Sequence, residues 1–423
     1  MGFNGVAGSS SQPLPREDSP LLPQDSNLSS SPKTFANVFI AIVGAGVLGL
    51  PYTFKKTGWL LGVVMLLFVA LLTYHCMMLL IYTRRKLESR KECLQINSFG
   101  DLGFAVCGSI GRFAVDSMIV LSQAGFCVGY LIFIGNTLVY LFNSSSSSHQ
   151  SQRIWGIKPK TFYIWSCFPF QLGLNSIPTL THLAPLSIFA DFVQIGAMGV
   201  VMVEDVMIFL KQQQVLKTFG DFSVVFYGLG VSVYAFEGMG MALPLESETK
   251  DKARFGKVLG LSMGFISCIY AAFGVLGYFA FGAETNDIIT TNFGKGLVSY
   301  VVQLALCINL FFTFPLMMNP VYEVFERRFS DGRYSLWLRW ILVLGVSLVA
   351  LMVPNFADFM SLVGSSVCSV LGFVLPALFH LLAFKDDIER RGKFLDVAIM
   401  CFGLVLGVSG TWSSILQISP ATD

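Results

Sequence analysis

From residue 33 onward the chain is a succession of long apolar runs separated by short polar or basic stretches. At about 20 apolar residues per bilayer crossing, the pattern predicts eleven helices: 34–55, 59–82, 113–142, 161–177, 183–210, 222–245, 257–281, 297–325, 335–353, 357–384 and 394–417. The fourth is short and carries Pro169. Residues 1–32 are rich in Ser, Pro and Gly with no apolar core, which predicts a disordered tail and not a signal peptide. Residues 418–423 form a short end after the last helix. Ahead of helix three, the stretch 98–111 alternates Gly with Phe, Leu, Val and Ile, and predicts a short interfacial segment.

Two of these helices do not read as plain anchors. The first, TFANVFIAIVGAGVLGLPYTFKK over 34–56, carries Gly44, Gly46, Gly49 and Pro51. Glycine costs about 1 kcal/mol and proline about 3 kcal/mol against alanine inside a helix, so the segment is expected to break near mid-membrane. Unpaired amides and carbonyls at that depth are tolerated only against protein or a water-filled cavity. A half-helix N-terminus suits a carboxylate, and loose carbonyls suit an ammonium or a cation. The sixth helix, YGLGVSVYAFEGMGMALPLE over 227–246, repeats the device with Gly238-Met239-Gly240, Leu243-Pro244 and Glu237 beside the first glycine. Close helix packing through small residues is the competing explanation for either segment alone. Paired interruptions at matching places in two halves point to a secondary transporter built from inverted repeats. Helices one to five and six to ten are then the opposed halves, with the eleventh added.

Composition agrees: 54% hydrophobic, 13% charged and a mean hydropathy of +0.67 describe an all-α polytopic membrane protein. A net charge of +2 singles out no charged partner, and nothing suggests nucleic acid. Of nine cysteines, seven fall in apolar runs and Cys93 and Cys107 share one loop, so no disulfide framework or metal-ligand spacing is implied. There is no phosphate-binding or dinucleotide fingerprint. No nucleophile, metal set or carboxylate pair supports an enzyme, and no cofactor is expected.

Loop charge sets the orientation. Arg16, Lys33, Arg84, Arg85, Lys86, Arg90, Lys91, Arg112, Lys250, Lys252, Arg254, Lys257, Arg327, Arg328, Arg333, Arg339, Lys385, Arg390, Arg391 and Lys393 fall on one side. Lys55, Lys56, Arg153, Lys158, Lys160, Lys211, Lys217 and Lys295 fall on the other. The N-terminus is therefore expected in the cytosol and the C-terminus in a lumen. In the tail, Glu17 followed by Leu21-Leu22 matches the acidic dileucine signal that sorting adaptors read as an address for lysosomes or vacuoles. The sequon Asn143-Ser144-Ser145 abuts a membrane end and is expected to go unused.

At 34–59, and from Phe236-Glu237-Gly238 through Leu243-Pro244-Leu245-Glu246, the sequence resembles the amino acid/auxin permease family. The likeness covers 33–417 and is nearest to its plant vacuolar amino acid transporters and the animal proton-coupled amino acid transporters. It implies the five-plus-five inverted repeat shared with the bacterial leucine transporter, plus an eleventh helix. It further implies proton-linked movement of neutral amino acids out of the vacuole across the tonoplast. A sensor using the same pocket is the alternative, though a tail of some 32 residues offers little beyond sorting.

Candidate residues follow from the two breaks. Ile42, Val43, Gly44, Ala45, Gly46, Val47, Leu48 and Gly49 are expected to meet substrate mainly through backbone, and Tyr234, Ala235, Phe236 and Gly238 to line the other half, with Phe236 as wall or gate. Phe126 and Tyr130, one turn apart on helix three, are candidate lining or ordinary packing. Intramembrane carboxylates are functional candidates: Glu237 at the break and Asp191 two turns into helix five, since burial disfavours the charged form of a carboxyl. An acidic lumen would load such a group and a neutral cytosol unload it. The structural alternatives are an acceptor for unwound N–H groups at Glu237 and a packing hydrogen bond at Asp191. Glu204 and Asp205 are expected to be solvated, Asp116 and Asp358 to be unremarkable at membrane edges, and His182 and His380 to be structural. Thr313 and Asn309 share one face of helix eight, which in sodium-coupled relatives helps to bind the ion; Thr313 bonding its own helix is the alternative favoured here.

Overall fold

The structure, a computed structural model, describes residues 28–90, 95–143, 156–178, 184–211, 214–294, 296–385 and 387–418. Its helices are α1 (Ser31–Ile42), α2 (Leu50–Thr57), α3 (Trp59–Arg90), α4 (Phe99–Asn143), α5 (Pro159–Asn175), α6 (Ala184–Lys211) and α7 (Val225–Ala235), then α8 (Ala242–Ser247), α9 (Phe255–Phe281), α10 (Leu297–Phe329), α11 (Leu336–Met352), α12 (Phe356–Val363), α13 (Leu375–Ala383) and α14 (Arg390–Ile418). Among the described residues, eight helices are long and apolar enough to cross a membrane, and a ninth crossing is the bent pair of α1 with 45–57. The shorter α5 and α11 complete eleven segments at the places the hydropathy pattern predicts. One isolated bridge, Ser29 with Thr249, is the β-pairing among the described residues.

A broken helix followed by four others opens the chain, as α1–α2, α3, α4, α5 and α6. The order recurs as α7–α8, α9, α10, α11 and α12–α13, and α14 packs on the last of these. The expected interfacial segment is the start of α4. There Gly108, at φ 65°, turns the chain sharply between 99–107 and the crossing helix, a conformation that costs a glycine little. Between α12 and α13 the helix widens into π-type turns at Gly364–Cys368 and Val370–Val374. A β-carbon at Gly364 would stand 1.9 Å from the Gly230 carbonyl, so α7 and this widened stretch lie backbone against backbone.

Both ends of the bundle are tied. At the basic end, Glu246 is fully buried and pairs with Arg84 and with Arg85 (2.7 Å), while Arg84 also donates to the Leu243 carbonyl at 3.1 Å, fastening α8 to α3. Ser29 exchanges backbone hydrogen bonds with Glu248 (2.8 Å) and Lys250 (3.1 Å). At the opposite end Lys56, in the last turn of α2, pairs with Asp358 of α12 at 3.0 Å and donates to Gln417 at 2.9 Å. Asp358 also accepts from Tyr227 at 2.9 Å and from Asn355 at 2.8 Å. The two described termini therefore lie at opposite ends, as an odd helix count requires. Asp358, expected to be unremarkable, is 2% exposed at the centre of this network; its partners Lys56 and Tyr227 are more than 100 residues away and leave no local pattern.

Asp287, in the loop between α9 and α10, accepts the Phe356 amide at 3.1 Å. Burial pushes its carboxyl above the ordinary range, and the Phe356 amide opposes this. A carboxyl whose folded-state value is raised contributes stability that is present in acid and lost as pH rises through that value. The thermal midpoint of the purified protein is expected to fall as pH rises from about 4, near the unfolded value, toward neutrality. Asp287→Asn is expected to flatten that slope, and an identical slope in the variant would refute the assignment.

Candidate functional site

The first break begins where α1 ends at Ile42. Val43 turns extended, Gly44 is extended at φ −131° and ψ −160°, and a 3-10 turn over Ala45–Gly49 leads into α2. The two arms are bent by 52°. In the second break α7 ends at Ala235, Gly238 is extended, and a 3-10 turn over Met239–Met241 leads into α8. The breaks face each other. A β-carbon at Gly46 would stand 2.7 Å from the Ala235 Cα, and one at Gly238 would stand 3.0 Å from Ile42. At Gly44 a β-carbon would meet nothing within 4 Å. The two glycines of the Gly44-Ala45-Gly46 run thus differ: Gly46 permits close backbone approach, and Gly44 borders open space.

Side chains that the sequence reading missed satisfy much of the unwound backbone. Tyr270 of α9 donates to the Ile42 carbonyl at 3.2 Å and takes the Gly44 N–H. Gln194 of α6 donates to the Gly44 carbonyl at 3.4 Å and accepts from Asn309 of α10 at 2.7 Å. Thr313 donates to the Asn309 carbonyl at 2.9 Å and to its side-chain oxygen at 3.2 Å. A hydrogen-bonded chain therefore runs from α10 through α6 to the first break. Thr313 bonds its own helix, and the Gln194 amide occupies the Gly44 carbonyl. Helical spacing marks Asn309 and Thr313 as one face; Gln194 and Tyr270 are visible only in three dimensions.

The aromatic candidates assemble around the second break. Phe126 of α4 meets Tyr234 edge to face at 4.7 Å, and Tyr130 is buried on the same face of α4. The Tyr234 hydroxyl is buried with no protein partner. Phe236 is fully buried against Tyr270 at 5.2 Å. Ile42, Val43, Ala45, Val47 and Leu48 are all buried. Glu237 is half-buried between the arms, and its carboxylate takes the Met239 N–H. Asp191 lies on α6, but its side chain falls outside the described residues. So do His182 and Glu17, Leu21 and Leu22.

Asp205 corrects the reading of helix five. Expected to be solvated, it is fully buried, and neither carboxyl oxygen has a protein partner. It shares a buried face of α6 with Gln194, Met198 and Val201, so a helix end that looks solvent-facing in sequence turns its acid inward. Among the described residues no group of His, Cys, Asp and Glu could hold a metal ion.

Two opposed helix breaks therefore meet inside the bundle, with polar side chains on the first and open space beside Gly44. Over 90% of its length the chain superposes, with a TM-score of 0.56 and 13% identity, on 98% of MhsT, a protein whose crystal structure was solved in complex with L-phenylalanine. It is 66% identical to amino acid transporter AVT3C of Arabidopsis thaliana over 99% of both chains, and 36% identical to amino acid transporter ANT1 of the same plant over 98% and 99%. It is 26% identical to vacuolar amino acid transporter 3 of Saccharomyces cerevisiae over 92% of this chain and 56% of that protein. The family described as transmembrane amino acid transporter protein matches residues 28–416, and with nearly the whole chain covered, the protein is a member of that family and, by its relatives, an amino acid transporter.

Proposed function

We propose that the protein moves neutral amino acids from the vacuole to the cytosol across the vacuolar membrane, coupled to protons. The observation that carries the reading is the pair of opposed breaks, with open space at Gly44 and buried apolar residues along the 42–48 segment. The backbone of 42–49, with Tyr234, Ala235, Phe236 and Gly238 opposite and Phe126 and Tyr130 from α4, would hold the zwitterion. A helix N-terminus favours the carboxylate and the carbonyl end the ammonium. Among the described residues of this site Glu237 is the one charged side chain, which suits a substrate without a net charge. It is our first choice as proton carrier, with Asp191 second. Sodium at Asn309 and Thr313 is less favoured, because Gln194 already bonds both the Gly44 carbonyl and Asn309.

Alternating access then requires the two end clusters to release in turn. Lys56 with Asp358 would close the lumenal side, and Arg84 and Arg85 with Glu246 the cytosolic side. The orientation rests on the basic excess at the end that carries Arg84, Arg327 and Arg390. We assign Glu17, Leu21 and Leu22 to adaptor recognition on the motif alone; a Leu21→Ala, Leu22→Ala double variant is expected to leave the vacuolar membrane, and full retention there would refute the assignment.

Counterflow in proteoliposomes with a panel of labelled amino acids, with and without an imposed pH gradient, tests the function. Neutral amino acids are expected to exchange, and a gradient to drive their accumulation. No exchange of any neutral amino acid, or accumulation indifferent to the gradient, would overturn the substrate or the coupling respectively.

A further inference from the structure

At the basic end of the bundle two titratable side chains from neighbouring helices are hydrogen-bonded inside the protein, and a third lies within electrostatic reach of both. His380, in the last turn of α13, shares a 2.6 Å hydrogen bond between Nδ1 and Oδ2 of Asp396 on α14, with side chains 12% and 2% exposed. His75 of α3 interacts electrostatically with both, and its Nε2 is buried with no protein partner. The cluster is connected outward through an aromatic step. Phe384 packs tilted against the His380 ring at 4.4 Å, Lys86 lies 4.0 Å over Phe384, and Lys86 and Arg90 both pair with Asp387.

The surroundings limit what the cluster can hold. Besides His75 and Lys86, α3 contributes Cys76; Lys385 and Lys393 are exposed, and α4 offers an apolar contact, Phe99 on Phe379 at 5.9 Å. One carboxylate facing two imidazoles neutralises one added proton, and a second would set two imidazolium ions against each other. Imidazole is the side chain whose unperturbed titration falls between about pH 5 and 8. Two elements that carry the cluster, or lead into it, also contact the second break. Met77, two residues after His75, packs on Gly238 of the second break, and Gly372, in the π-type stretch leading into α13, packs on Met239. A hydrogen bond between α13 and α14 that gains or loses charge therefore acts on two elements that hold the break.

We propose that His380, Asp396 and His75 form a second proton-binding site, separate from the broken helices, whose occupancy sets the packing of α13 against α3 and so the rate of transport. The proposal does not rest on proton coupling. Its test is exchange of a radiolabelled mixture of the twenty amino acids across proteoliposomes held at the same pH on both sides, from about pH 5.5 to 8, where no gradient can drive flux. The wild type is expected to change its exchange rate several-fold across this range, and His380→Gln to remove that component. The chain has four histidines, so NMR of isotope-labelled histidine in lipid nanodiscs provides a readout that needs no variant to transport. The ring signals of His380 and His75 are expected to report one shared protonation step in the wild type, and Asp396→Asn to change it. A His380→Gln profile identical to the wild type, a wild type indifferent to pH, or two histidines that titrate independently of Asp396 would overturn the site. Accumulation under a pH gradient, which tests the coupling, does not enter either measurement.

Discussion

Gly44→Leu is expected to abolish counterflow while leaving the thermal midpoint close to that of the wild type, and Gly46→Leu to lower the midpoint itself. The two glycines are separated by one alanine, yet their surroundings assign them different work. At Gly44 the backbone is extended, a conformation open to any residue, and a β-carbon meets nothing within 4 Å. A leucine there enters open space beside the Gly44 carbonyl, without strain in the chain, and excludes whatever occupies that space. A loss of tenfold or more corresponds to about 1.4 kcal/mol of substrate or transition-state stabilisation. At Gly46 a β-carbon would press to 2.7 Å on the Ala235 backbone, and overpacking of that kind typically costs about 1–3 kcal/mol. Wild-type counterflow in Gly44→Leu would remove the site from the first break. An unchanged midpoint in Gly46→Leu would remove the packing role.

That difference marks where sequence reading stops. The interruption of both helices is legible because Gly and Pro act locally, through backbone freedom and a missing donor, and the structure breaks at 43–44 and 236–238. The eleven helical segments are legible because bilayer thickness sets their length. What stays hidden is tertiary. Tyr270 and Gln194, which satisfy the first break, are an aromatic and an amide on otherwise apolar helices, and nothing in their neighbours' spacing says that they face Gly44. Asp358 reads as an acid near a helix start until Lys56 and Tyr227 arrive from distant segments. His380 reads as a lone histidine because Asp396 sits beyond a loop, on the next helix. Asp205 reads as solvated because the buried stripe of α6 is set by packing on α9 and α10.

Glu237→Gln is expected to eliminate accumulation of substrate driven by a pH gradient while part of the exchange at equal pH survives. Glu237 is half-buried between the arms of the second break, and its carboxylate takes the Met239 N–H. Glutamine offers the same acceptor oxygen to that amide and nearly the same volume, but it cannot gain and lose a proton in each cycle. A carrier role and a structural role therefore part company in this variant. A carrier loses concentrative flux, at least tenfold, and keeps binding and exchange. An acceptor that merely satisfies the unwound backbone keeps both with glutamine in place and loses both with Glu237→Ala, which leaves the Met239 amide unpaired at a cost of about 1–3 kcal/mol. If gradient-driven accumulation in Glu237→Gln equals that of the wild type, Glu237 is not the carrier. Asp205, a buried carboxyl with no protein partner on the same face of α6 as Gln194, then becomes the residue to neutralise, together with Asp191 on the same helix. Replacing sodium with choline during flux decides in the same experiment whether Asn309 and Thr313 bind an ion, because a sodium-coupled carrier would stop and a proton-coupled one would not.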